Sequence, residues 1–337
     1  MMQKFRMRAG SVDTHHGRMS DVDTGPAAAG VRVPYDALPA EVDAWVEGIL
    51  GAAVAEAATQ PGGFSPGCAA RLLGRNGERV FIKAVSSDAN AESPGMYRRE
   101  ARTTAALPLE APVPRLRATY DDGTWVALLF DDVEGRHPQL PWQPDELRRV
   151  LVAIDELFTD LTPCPLPDAQ TVDDDWRDEF ARWRGAAAAG PPEGLDPWCL
   201  RHLDRLAEVE SHWPEAATGD TLLHLDLRAD NMLVTDERVW ILDWPWAAKG
   251  TPAFDLVAFA PSVAMQGGPE PEDLLAMSAH GRVAAPDAVT TLVATVTGYF
   301  LVQSLLPPPL GLPTVREFQA AQGAVALRWL KQRTGWS

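Results

Sequence analysis

The chain has 337 residues, 46% hydrophobic and 23% charged, which excludes a disordered, collagen-like or disulfide-stapled miniature protein. Its 30 Lys and Arg against 47 Asp and Glu leave a net charge of −17. With no dense basic run, that balance argues against nucleic acid as a partner.

At about 150 residues per domain the length allows two domains or lobes. Residues 1–35 are rich in Gly, Ala, Asp and His without periodicity and read as a disordered tail. Met19 offers an alternative start within it. Lys4, Arg6 and Arg8 precede no apolar run, so no secretory signal is expected. Cys68, Cys164 and Cys199 are far apart and form no Cys-x-x-Cys pair, which points to a reducing cytoplasm.

Val42, Trp45, Val46 and Ile49 predict one amphipathic helix over Ala40 to Ala58. A glycine-rich turn, Gly62 to Gly67, leads into two apolar runs, Ala69 to Leu73 and Arg79 to Val85. Asn76-Gly77 between them predicts a hairpin. Pro94 to Leu107 reads as a helix and Trp125 to Phe130 as a buried strand. Asp145 to Leu161 places Leu147, Val150, Leu151, Ile154, Leu157, Phe158 and Leu161 on one helical face. The Pro- and Trp-rich stretch 163–214 holds helical pieces, such as Asp173 to Arg184. Thr221 to His224, Met232 to Thr235 and Val239 to Leu242 read as short strands, the last two a hairpin through Asp236-Glu237. Helices follow from Asp255 to Leu330. The uncharged run Ala288 to Leu306 contains four threonines, Gln303 and Ser304 and lacks flanking basic clusters, so it reads as a core helix rather than a membrane span.

Chemistry concentrates in His224-Leu225-Asp226-Leu227-Arg228-Ala229-Asp230-Asn231 and in Asp243 beyond the hairpin. Asp226, on a loop after a strand, can accept a proton from a substrate hydroxyl. Asn231 and Asp243, at either end of a hairpin, supply hard oxygen ligands that suit Mg²⁺. Arg228 adds a fixed positive charge two residues from the base, useful against a transferring phosphoryl group. A His-x-Asp-x-x-x-x-Asn pattern arises by chance about 0.009 times in a chain of this composition.

These residues resemble the aminoglycoside phosphotransferase family, small-molecule relatives of the protein kinases, whose own pattern is His-Arg-Asp-x-x-x-x-Asn followed by Asp-Phe-Gly. Here Leu225 replaces the Arg and Asp243-Trp244-Pro245 replaces Asp-Phe-Gly. That change, with the absence of Ala-Pro-Glu, favours small-molecule kinases over protein kinases. The resemblance runs from Gly62 to Phe259 and implies that Asp255 supports the active-site loop. It also implies a strand lysine paired with a helix glutamate, which Lys83 in Phe81-Ile82-Lys83-Ala84-Val85 and Glu100 fit, with Glu92 as runner-up. Ser65 would present its hydroxyl and N–H to the nucleotide phosphates, although Gly62, Gly63 and Gly67 match the kinase glycine loop only loosely. The backbone at Asp131 and Val133 would meet the adenine edge. His224 is expected to hold the loop, and Asp230 to face solvent or cap it.

The implied fold is α+β, two-lobed and protein-kinase-like. After the tail of residues 1–35 come a β-rich nucleotide-binding lobe over 36–131 and a helical catalytic and acceptor-binding lobe over 132–337. The implied activity is transfer of the γ-phosphoryl group of ATP or GTP, with Mg²⁺, to a hydroxyl of a small molecule. An aminoglycoside or other aminated acceptor, with a role in antibiotic resistance, is one option. A metabolite kinase of the homoserine, choline or fructosamine type and a non-catalytic nucleotide-binding protein are the alternatives. The acids Asp173, Asp174, Asp175, Asp178 and Glu179 either draw in a cationic acceptor or form the solvated face of a helix whose apolar side is Trp176 and Phe180.

Overall fold

The computed structural model describes residues 25–26, 31–64, 67–88, 90–309 and 311–337. Most of the expected tail, the start at Met19 and the glycine-loop residue Ser65 lie outside them.

Helix α1 (Ala40–Leu50) buries Val42, Val46 and Leu50. It stops well short of Ala58, because Gly51 takes φ 70° and returns its N–H to Glu47 O at 2.9 Å. That left-handed cap suits glycine, which has no Cβ to clash. The next residues form β1 (Val54–Thr59), an exposed edge strand antiparallel to β2 (Cys68–Gly74). The alanines of β1 favour helix locally, yet the free edge of β2 satisfies its backbone and tertiary pairing prevails. The Asn76-Gly77 turn joins β2 to β3 (Arg79–Ser86) as expected, with Gly77 at φ 87°.

Helix α2 (Ser93–Ala106), β4 (Leu116–Asp121) and β5 (Trp125–Asp131) complete an antiparallel sheet of order β1-β2-β3-β5-β4. Strand β4 escaped the sequence reading; its burial alternates, but Leu116 and Tyr120 are its only large apolar side chains. Alternation along β3 divides the two faces. Val80, Ile82 and Ala84 join the cluster under α1, while Phe81 and Val85 pack with Tyr97 of α2. Lys83 shares the second parity and so points toward α2.

Helix α3 (Pro144–Asp160) buries the predicted stripe from Leu147 to Phe158. The short helices α4 (Val172–Trp176), α5 (Arg182–Ala189), α6 (Pro197–Arg201), α7 (Leu203–Ser211) and α8 (Trp213–Ala217) follow. The single helix expected over Asp173 to Arg184 is therefore broken in two. Thr171 and Asp174 close a capping box at the start of α4. Buried Glu210 then accepts the N–H groups of Trp183 and Arg184, at 3.0 and 2.9 Å, which sets a second helix start. Trp176 and Phe180 do stack, with centroids 5.4 Å apart.

Strand β6 (Thr221–Leu223) precedes the hairpin of β7 (Met232–Val234) and β8 (Val239–Ile241), and pairs with the unforeseen three-residue β9 (Ala248–Gly250). Helices α9 (Pro252–Met265), α10 (Pro271–Met277), α11 (Ala279–Val283), α12 (Pro286–Ser304) and α13 (Val315–Thr334) end the chain. One large core joins α3, the short strands and these helices, around the fully buried Trp183, Trp213, Trp244 and Trp329. Helix α12 covers the uncharged run. It is wrapped by its neighbours, and the buried Thr295 and Thr297 return their hydroxyls to Thr291 O and Val293 O. No described helix is long and apolar enough to cross a membrane. All three cysteines are free thiols.

Candidate active site

The loop after β6 is held from below. Asp255, in the first turn of α9 and 1% exposed, accepts the N–H of His224 and of Leu225, each at 2.7 Å. Leu225 sits at φ 62°, a left-handed conformation that a non-glycine residue keeps only when its surroundings over-determine it. His224 accepts the Asp226 N–H at Nδ1 (3.1 Å), so its Nε2 carries the proton and donates to Leu242 O (2.8 Å). Burial pushes this imidazole down to about 4, so it stays neutral and ties the loop after β6 to the β8 end of the hairpin. Both roles agree with the sequence expectation.

Asp226 is thereby aimed into the cleft, with a quarter of its side chain exposed. Its Oδ1 accepts Arg228 Nη1 at 2.5 Å and its Oδ2 accepts Asn231 Nδ2 at 3.1 Å. Burial pushes its carboxyl up to about 7, with Arg228 opposing and Asp243 and Asp230 adding to the rise. A carboxylate near neutrality suits proton acceptance. Asp230 does not point freely into solvent: it takes both of its oxygens to Arg228, at 2.9 Å each. Arg228 is thus a buried clasp between two carboxylates, and its guanidinium also lies 5.1 Å from the Phe64 ring and 5.7 Å from the Phe318 ring.

Asn231 and Asp243 stand at the two ends of the β7–β8 hairpin, which is closed by Leu242 N–H to Asn231 O at 2.8 Å. Asn231 uses its side-chain nitrogen on Asp226 O (2.8 Å) and Oδ2, and its side-chain oxygen receives no hydrogen bond among the described residues. Asp243 takes φ 68°. Trp244 behind it is fully buried and packs edge-on against His224 at 4.7 Å. Lys83 Nζ lies 2.5 Å from Glu100 and 2.6 Å from Asp243, which links the sheet, α2 and the hairpin. Burial alone would push this ammonium down, but Asp243 and Glu100 hold it above its usual value, and Lys83 holds Asp243 below its own. Glu100, not Glu92, is the partner, and it also receives the Trp244 N–H.

Between sheet and helices lies a cavity of about 220 Å³. Lys83, Asn231 and Asp243 mark one end, while Ala69, Phe130, Leu233 and Leu242 help to form an apolar slot. Asp131 and Val133 both reach it. The Asp131 N–H is already given to Arg115 O, and the Val133 carbonyl accepts from Arg71 and Gly135. The Val133 N–H has no acceptor among the described residues. Among those residues no group of three or more His, Cys, Asp or Glu side chains is placed to hold a metal ion. Two hard oxygen donors, Asn231 and Asp243, on the cavity lining still fit Mg²⁺, which keeps waters and substrate oxygens in its shell. Tyr299, whose hydroxyl feels the Asp226 charge, and Phe318, 5.7 Å from the Arg228 guanidinium, carried no sequence signal, because their spacing is that of ordinary core helices.

A family model described as the phosphotransferase enzyme family matches residues 63–290. None of the curated proteins matches the chain. The choline kinase LicA from Streptococcus pneumoniae superposes with a TM-score of 0.59 at 12% identity, over 88% of this chain and 98% of the kinase. A complex of LicA with AMP gives 0.54 at 11% identity, over 87% and 98%. The gentamicin complex of APH(2")-IIa gives 0.50 at 14% identity, over 88% and 96%. At such identities the likeness is one of fold, and that fold is the two-lobed, protein-kinase-like α+β arrangement expected from the sequence.

Proposed function

The chain belongs to the phosphotransferase enzyme family, and from that premise we propose that it moves the γ-phosphoryl group of ATP to a hydroxyl of a small molecule. One observation carries this reading. A recessed carboxylate near neutrality, Asp226, stands beside a Lys83–Asp243–Asn231 cluster at the mouth of an apolar slot. In the proposed division, the lobe over 36–131 binds the nucleotide and the lobe over 132–337 carries the base and the acceptor. The adenine ring fits the slot between Ala69 and Leu233, its edge against the Val133 N–H. The Val133 N–H, without an acceptor among the described residues, supports a nucleotide there, and the AMP complex of the similarly folded LicA supports nucleotide binding by this fold.

Asp226 orients the acceptor hydroxyl and takes its proton as the oxygen approaches phosphorus. Arg228 and Asn231 hold that carboxylate in place. Lys83, fixed by Glu100, supplies positive charge to the nucleotide phosphates. Asn231 and Asp243 would hold Mg²⁺, which supplies charge neutralisation on the phosphate oxygens when bound. Because phosphoryl transfer proceeds through a loose transition state, positioning and charge neutralisation should provide most of the rate.

Transfer of label from γ-³²P-ATP to a panel of hydroxylated small molecules tests the reading. Labelled product is expected with at least one acceptor, and nucleotide binding without transfer to any acceptor would return the chain to a non-catalytic binder. Asp243→Asn should raise the Mg²⁺ concentration needed for half-maximal rate by at least about tenfold, since even outer-shell losses cost that much. ATP affinity should weaken in parallel. If titration shows only acceptor affinity changing, Asp243 is misassigned.

A further inference from the structure

Beyond Asp226 lie two arginines, Arg182 and Arg316, with no ion-pair partner among the described residues. Trp246, three residues beyond Asp243, lies 5.2 Å from Trp176, which lies 6.4 Å from Tyr299. Two arginines flank Tyr299. Arg316, in the first turn of α13, donates to Gln303 Oε1 (3.0 Å), Gln319 Oε1 (2.8 Å) and Pro307 O (3.1 Å), all neutral oxygens. Gln303 is one helical turn from Tyr299 on α12, so the two share a face. Arg182 begins α5, where its neighbour Trp183 packs on Gly298 and donates to Ala294 O at 2.8 Å. Arg182 Nε is buried without an acceptor, and neither arginine has a carboxylate within ion-pair distance among the described residues.

Phe318, two residues beyond Arg316, lies 5.7 Å from the Arg228 guanidinium that holds Asp226 at 2.5 Å, which brings the start of α13 to the base. Burial, then the like charge of Arg182, pushes the Arg316 guanidinium down, with Tyr299 opposing. The Tyr299 hydroxyl is raised by burial and then by Asp226, against Arg182 and Arg316, with Glu179 adding to the rise. Arg316 bonds only neutral oxygens and Arg182 Nε has no acceptor; such cations in a partly buried site are costly, and a bound oxyanion relieves that cost with short, charge-assisted bonds. Aromatic walls can also hold a cation. Here the Arg99 guanidinium already lies 5.0 Å from the Trp246 ring centre. Of the nearby acids, Asp173 pairs with Arg177, Asp174 closes the Thr171 cap and Asp226 is held by Arg228, while the charge of Glu179, which also reaches Tyr299, is outnumbered by the two guanidiniums.

We propose that the acceptor is a hydroxylated small molecule bearing a carboxylate, held by Arg182 and Arg316 beside Tyr299 while its hydroxyl reaches Asp226. This rests on the phosphotransfer reading and narrows its acceptor class away from aminated compounds.

The test uses glucuronate, glucose and 6-amino-6-deoxyglucose, three probes that differ only at the sixth carbon. Binding to the full chain with MgADP is read by tryptophan fluorescence, and transfer by ADP release from ATP. Glucuronate should bind most tightly. The Arg182→Gln, Arg316→Gln double variant should weaken it by roughly 10- to 100-fold, the span of one lost charge-assisted bond or two, and leave glucose unchanged. Circular dichroism checks that the variant folds; where it does not, Arg182→Lys and Arg316→Lys singly should each weaken glucuronate binding. Tighter binding of the amino sugar, equal binding of glucuronate and glucose, or an unchanged glucuronate affinity in the variants would overturn the proposal. Failure of the phosphotransfer reading looks different: selective glucuronate binding persists, but no acceptor releases ADP.

Discussion

Asp226→Asn is expected to lower turnover by on the order of 10²- to 10⁴-fold, the range for loss of a positioned general base, while nucleotide affinity stays nearly intact. The substitution is not chemically silent elsewhere. Both Asp226 oxygens accept hydrogen bonds, one from Arg228 and one from the Asn231 side-chain nitrogen. The introduced amide brings one NH₂ group to face a donor, and the relief is a turn of the Asn231 amide. That turn would move the oxygen proposed for Mg²⁺. Asp226→Ala separates the two effects, because it removes the base without presenting a donor to Asn231, and Arg228 keeps both bonds to Asp230. Single-turnover phosphoryl transfer and nucleotide titration on both variants decide the matter. A folded Asp226→Ala protein with near-normal transfer would remove Asp226 from its role.

The second large effect concerns Asp255, which touches neither nucleotide nor acceptor in the proposed arrangement. Asp255→Ala strands two buried N–H groups, those of His224 and Leu225, each worth about 1–3 kcal/mol when left unsatisfied. Burial pushes the Asp255 carboxyl up to about 7 even with both bonds made, so losing a buried charge offsets part of the damage. A net loss of roughly 2–4 kcal/mol is expected in denaturant unfolding. Leu225 would then leave φ 62°, and Asp226 would shift with it. A displacement of about 1 Å at the base costs on the order of 10²-fold in rate. Asp255→Asn keeps one acceptor oxygen and should fall between the two in both measurements. Loss of stability with undiminished transfer would show that the loop holds Asp226 without Asp255.

What the linear sequence determined was local and periodic. The Asn76-Gly77 turn, the α3 stripe and the octapeptide His224 to Asn231 with its hairpin are each written within a few consecutive residues, because turn chemistry and 3.6-residue periodicity act at short range. Lys83 and Glu100 were legible too, since a lone lysine in a buried strand requires an acid and the next helix offers one. Tertiary structure decided the rest. Ala53 to Ala58 reads as helix by propensity and becomes β1 because the edge of β2 lies open beside it. The helix expected across Asp173 to Arg184 breaks because Glu210, 26 residues beyond Arg184, caps a second start. Asp230 turns inward because Arg228 needs a second carboxylate, a need that no spacing reveals. The two arginines beside Tyr299 lie 134 positions apart in the chain. Nothing at either position marks a site; only the packing of α5 and α13 on α12 puts their charges together, and charge acts through space rather than along the sequence.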